Sequence, residues 1–116
     1  MDRYGLGVKG EQAAVEYLES KNYKILARNV YFHGVGELDI VAMDGQVMVF
    51  VEVRTRSDNR YGHPLETLTK AKQQKIINSA RRFIYENKYR AKGYRFDVVS
   101  ILNGNILHVI DAFYVR

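Results

Sequence analysis

Charged side chains interrupt a run rich in strand-forming Val and Ile. Residues 36–56 read GELDIVAMDGQVMVFVEVRTR and carry Glu37, Asp39, Glu52 and Arg54. Carboxylates in a half-buried strand are costly unless something charged meets them. Asp44-Gly45, flanked by apolar alternation, signals a two-residue hairpin turn, since both central positions need positive φ. With strands over 37–43 and 46–55, Met43 faces Gln46, and counting outward sets Asp39 opposite Phe50 and Glu37 opposite Glu52. Facing residues share a side of the sheet. Glu37, Asp39, Glu52 and Arg54 therefore project one way, and Leu38, Ile40, Val51 and Val53 the other. Asp39 and Glu52 become diagonal neighbours with Cα atoms roughly 7–8 Å apart. A bulged turn would slip the register by one residue and separate them.

Two carboxylates at that separation can lean onto one ion. A hard divalent cation, Mg²⁺ or Mn²⁺, is one way to offset their repulsion, and a salt bridge to Arg54 is another. Both stay open, because structural ion pairs are common. Glu11 adds weight to the metal, since Ala14, Val15 and Leu18 follow it by three, four and seven positions. A third carboxylate thus shares the inward stripe of a helix.

The elements that must hold these residues follow from periodicity. Val8, Ala14, Val15 and Leu18 mark a helix over 7–21, YKILARNV reads as a strand, and YFHGVG as a loop before the hairpin. After RSDNRYGHPLE, the residues Ala71, Ile76, Ala80, Phe83 and Ile84 mark a helix over 69–87, with Thr69 as its amino-terminal cap. YRFDVVSIL, the turn Asn103-Gly104 and NILHVIDAFYV form a second hairpin. The expected order is α-β-β-β-α-β-β. A helix between the third and fourth strands implies a crossover, and so a parallel pair in a mixed α/β sheet.

A length of 116 residues suits one domain, and 47% hydrophobic with 27% charged residues argues against disorder. Without cysteine there is neither disulfide nor thiolate metal site, so a metal would be held by oxygen or imidazole. The longest apolar run, VMVFV, is too short to span a bilayer, and MDRYGLGVKGEQ lacks the pattern of a signal peptide. A cytoplasmic protein is expected. The net charge of +5 is compatible with nucleic acid. Its distribution is more informative, because 54–75 holds Arg54, Arg56, Arg60, Lys70, Lys72 and Lys75 against Asp58 and Glu66. That basic excess borders the acids.

An acid on the first helix, Asp39, and then VEVR giving Glu52-Val53-Arg54 resembles the PD-(D/E)xK motif of restriction-endonuclease-like nucleases. With YGHPLETLTKAKQQKI and YRFDVV, the chain resembles the bacterial YraN family over nearly its whole length; that family is similar in fold to archaeal Holliday-junction resolvases. The resemblance implies a mixed sheet flanked by helices and metal-dependent hydrolysis of DNA phosphodiesters, at branched or repair structures. It implies Asp39 and Glu52 as ligands of Mg²⁺ or Mn²⁺, with Glu11 in the supporting acidic position. Arg54 stands where the motif usually has Lys. It can stabilise charge on a phosphate but stays protonated and cannot be a general base. Lys70 or Lys72 could supply the missing ammonium group, against the plainer reading of a solvated basic face.

Other features have plain readings. GLGVKG at 5–10 matches G-x-G-x-x-G, yet no strand precedes it and no βαβ unit follows, so its glycines shape the approach to Glu11. Glu37 fits solvation at a strand entrance, and Asp97 a structural pair with Arg95. His33, His63 and His108 lack metal-ligand spacing. Tyr31, Phe32 and Tyr61 are assigned to loops, where they could stack on unpaired bases. The alternative to an enzyme is a non-catalytic nucleic-acid-binding module in which Arg54 neutralises the acids; a third option is a protein-interaction domain using a hairpin edge. A homodimer would suit a four-way junction, although no interface is specified.

Overall fold

The computed structural model describes residues 3–56 and 68–115. The elements are α1 (Arg3–Ser20), β1 (Lys24–Phe32), β2 (Gly36–Asp44), β3 (Val47–Arg56), α2 (Lys70–Glu86), β4 (Gly93–Leu102) and β5 (Asn105–Phe113). The α-β-β-β-α-β-β order is the expected one. The strands form a single sheet in chain order, with β3 and β4 parallel and every other neighbouring pair antiparallel.

Alternation along β3 decides which helix covers which face. Val49 and Val51 pack with Ala14, Val15 and Leu18 of α1. Met48 and Phe50 pack with Ile76, Ile77, Ala80 and Phe83 of α2. The sheet is thus a wall between two apolar layers, as a strand buried on both faces requires. Thr69 caps α2 as its sequence predicts, its side chain accepting the Lys72 N–H at 3.1 Å. Close approach locks the helices in place. A Cβ on Gly36 would lie 2.7 Å from Ser79 Oγ on α2, and a Cβ on Gly10 would overlap Thr55 Oγ1 on β3. Glycine at position 10 lets α1 sit directly on the end of β3 and sets Glu11 near the sheet's acids.

The structure corrects the expected hairpin. Asp44 pairs with Val47, so the turn residues are Gly45 and Gln46 rather than Asp44 and Gly45. Only Gly45 of these has positive φ, at 60°, which is the requirement of a turn with glycine at its first central position. The ladder runs to Ile40 opposite Val51, and the next step of that register sets Asp39 across from Glu52 instead of diagonal to it. Glu37 is not opposite Glu52; it pairs with Tyr31 of β1 and is exposed.

A second correction concerns the apolar wall. Ile40, Val51 and Val53 pack on the α1 side, whereas Leu38 joins the α2 side. Side-chain alternation therefore resets at Asp39. On β1 the pairs Arg28 with Ile40 and Val30 with Leu38 bracket Asn29, whose φ of 51° is left-handed. Backbone in that region turns the strand, and Asn tolerates it better than most residues. Two boundaries also differ. Helix α1 begins at Arg3, and β1 continues through Tyr31 and Phe32, which are strand residues rather than loop residues. Phe32 packs against the α2-side core. The Asn103-Gly104 turn is as expected, with both residues at positive φ between Leu102 and Asn105.

Candidate metal and phosphate site

Past the last β2–β3 pair, the Val53 N–H donates to Asp39 Oδ2 at 2.8 Å. The strand ladder ends in a side chain, and this fixes the Asp39 carboxylate beside β3. Glu52, on the α2-facing side of β3, is 9% exposed. Burial raises the Asp39 carboxyl to about 7, the Glu52 charge and a hydrogen bond shared with Glu52 add to the rise, and the Val53 N–H and Lys72 oppose it. The Asp39 carboxyl therefore gives up its proton near neutral pH rather than in acid.

Lys72, in the first turn of α2, brings its Nζ to 3.3 Å from Glu52 Oε1. Asp39, Glu52, Val53, Arg54, Thr55, Arg56 and Lys72 line an open depression of about 520 Å³. Acids on its floor and three cationic side chains around them suit an anionic ligand held together with a divalent ion.

Glu11 stands beside this pair rather than within it. Its Oε1 is buried without a hydrogen bond and lies 3.8 Å from Arg28 Nε. Burial and the Asp39 charge raise its carboxyl above the ordinary value, against Asn29 and Arg28. Among the described residues, no three His, Cys, Asp or Glu side chains are grouped to hold one ion. The donor set fits Mg²⁺ or Mn²⁺ in one respect: Mg²⁺ is commonly held by one or two carboxylates, with water and substrate phosphate completing its shell.

The other expected residues divide. Arg54 and Arg56 line the depression. Lys75 is exposed on α2. Lys70 faces elsewhere, lining a separate hollow of about 280 Å³ with Gln73, Gln74 and Tyr114. Two residues apart on a helix, Lys70 and Lys72 point to opposite sides, and only Lys72 meets the acids. Arg60, Tyr61 and His63 lie outside the described residues.

Sequence reasoning undervalued His108. The β4–β5 pairing carries it to buried Asp97, with His108 Nε2 2.7 Å from Asp97 Oδ2 and Nδ1 3.2 Å from Tyr17 Oη. Arg95 donates to both Asp97 oxygens, to Asp44 and to Tyr23 Oη, and the Asp111 N–H donates to Asp97 Oδ1. Burial pushes the Asp97 carboxyl upward, but His108, Arg95 and the Asp111 N–H outweigh it and hold it below its ordinary value. This satisfied network is the structural pairing expected of Asp97, extended by a histidine that residue spacing could not reveal.

Fold and site together define a three-layered α/β protein, one helix on each face of the sheet, with a paired-carboxylate depression at the end of its central hairpin. Comparison with known sequences shows the family. The profile of the uncharacterised protein family UPF0102 matches residues 10–101. A UPF0102 protein of Chlorobium limicola is 42% identical over 97% of this chain and 95% of its own length. Those of Persephonella marina (42%; 92% of this chain, 91% of the relative) and Geobacter metallireducens (46%; 93% and 91%) are similar throughout. The chain belongs to the UPF0102 family, the group expected above under the name YraN. Among the described residues, no helix is long and apolar enough to cross a membrane.

Proposed function

We propose that the protein is a divalent-metal-dependent phosphodiester hydrolase of the cytoplasm, acting on DNA of branched or irregular structure. The observation that carries this reading is the Asp39–Glu52 pair: two adjacent, desolvated carboxylates sharing a depression with Arg54, Arg56 and Lys72. Asp39 and Glu52 would hold Mg²⁺ or Mn²⁺, which when bound supplies an acidified water and neutralises charge on phosphoryl oxygens. Arg54 and Arg56, which line the depression, would orient the phosphate and balance its developing charge. Arg54 stays protonated, so it takes no proton. Lys72 puts an ammonium group against Glu52, meeting the need for a lysine that position 54 leaves open. Glu11 acts behind the pair, its charge coupled to Asp39. A homodimer would present two such depressions to a four-way junction.

One observation favours a second reading, a DNA-binding module without catalysis. The Lys72–Glu52 ion pair offsets one acid without a metal. Cleavage of branched, flapped and single-stranded DNA in Mg²⁺ or Mn²⁺ separates the two. The hydrolase reading expects metal-dependent products that disappear in Asp39→Asn and Glu52→Gln. Products that persist in the double variant reject this site; salt-sensitive binding without any cleavage supports the module.

A further inference from the structure

Charge in this chain is divided unevenly. Residues 70–95 contain nine basic residues and one acid, while the rest holds nine basic and twelve acidic residues. Lys72 and its neighbours at the start of α2 account for the end near the acid pair. Helix α2 is 17 residues long, so its far end lies about 25 Å away. There the chain continues as NKYRAKGYR, with Lys88, Arg90 and Lys92 exposed, and Arg81 is exposed on the last turns of the helix.

Two basic residues of this region are already engaged, Arg82 by Glu86 and Arg95 by Asp97 and Asp44. Among the described residues, Arg81, Lys88, Arg90 and Lys92 have no acidic partner. Exposed aromatic rings accompany them: Tyr85, between Arg81 and Lys88, is 88% exposed, and Tyr94, two residues after Lys92, is 49% exposed. Cations that follow a phosphate backbone, interleaved with planar rings on which bases stack, are the chemistry of single-strand binding.

We propose that the surface formed by Arg81, Lys88, Arg90 and Lys92 with Tyr85 and Tyr94 binds an unpaired DNA strand. It holds a single-stranded arm of the substrate on the far side of the molecule from Asp39 and Glu52. This rests on DNA being the substrate and adds the feature of that DNA which is recognised. Duplex DNA offers the same phosphates but hides its base faces, so the tyrosines distinguish the two.

The test uses the full chain carrying Asp39→Asn, in EDTA, and the fluorescence anisotropy of labelled dT20 and of a 20-base-pair duplex. Tyr85→Ala and Tyr94→Ala should each weaken dT20 binding about tenfold and leave the duplex within about twofold, whereas Tyr→Phe at either position should bind dT20 normally. Changing the four cations to Gln should reduce the slope of log affinity against log salt by about 3 for dT20. Absence of dT20 binding, or binding insensitive to both sets of changes, overturns the proposal. Cleavage by the native acid pair is measured separately with the four-cation variant on a duplex-flanked junction. Asp39-dependent cleavage without strand binding defeats this proposal alone; strand binding as expected without cleavage in any variant defeats the hydrolase reading alone.

Discussion

Asp39 carries the largest electrostatic tension in the site. Its folded carboxyl titrates at about 7, above the ordinary 3.8, because burial and Glu52 oppose ionisation. Between those values the unfolded chain loses the proton while the folded chain keeps it. Stability therefore falls as pH rises from about 4 to 7, and the full penalty remains above 7. Asp39→Asn, which can still accept the Val53 N–H, should be more stable than the native chain by roughly 1–3 kcal/mol at pH 8 in EDTA, with no gain at pH 4; urea denaturation at both pH values checks this. Lys72 supplies a second prediction at the same scale. Lys72→Met removes a cation that competes at Glu52, so Mn²⁺ affinity should rise severalfold in calorimetry while cleavage falls at least tenfold. Asp39, Glu52 and Glu11 were legible in the sequence as acids out of place among apolar neighbours. The Lys72–Glu52 ion pair was not legible: the sequence offered Lys70 or Lys72 against a solvated basic face, and which lysine meets the acids depends on the rotation of α2 against β3.

At the scale of elements, close contacts and turns set what the acids can do. The hydrophobic pattern sufficed for element order and for the parallel pair, but not for hairpin register. Asp-Gly and Gly-Gln both make plausible two-residue turns, and the choice moves Asp39 by two positions against β3. The face reset at Asp39 was hidden as well: it lies across from Asn29, whose left-handed backbone no hydrophobic pattern signals. Gly10 gives an element-scale prediction. Gly10→Ala would drive a methyl group into Thr55 Oγ1 and push α1 off β3, costing about 1–3 kcal/mol. Adding Thr55→Ala should restore much of that loss in a double-mutant cycle of thermal unfolding. The Asp97 network ties β4, β5 and α1 together, and its depressed carboxyl has the opposite sign to Asp39. Its stabilisation is present above about pH 4 and is lost as pH falls through the folded value. Asp97→Asn should cost about 3–5 kcal/mol at pH 7, and the gap to the native chain should narrow in acid, as followed by circular dichroism.

Across the whole molecule, the two helices divide the work. Helix α1 contributes Glu11 and covers one face, while α2 contributes Lys72 at one end and leads to an exposed basic surface at the other. Family membership over nearly the full length fits the legibility of the fold, since the motif residues are spread from the first helix to the fourth strand. Activity is less legible, because Arg54 stands where a lysine is usual and the chemistry turns on whether the acid pair accepts a metal. Calorimetric titration of the native chain with Mn²⁺ at pH 6.5 and 7.5 tests that claim most directly. Saturable binding is expected at both pH values, weaker at pH 6.5 where it displaces a proton from Asp39, and at least tenfold weaker in Asp39→Asn and in Glu52→Gln. No saturable binding, or binding unchanged in the double variant, would contradict it.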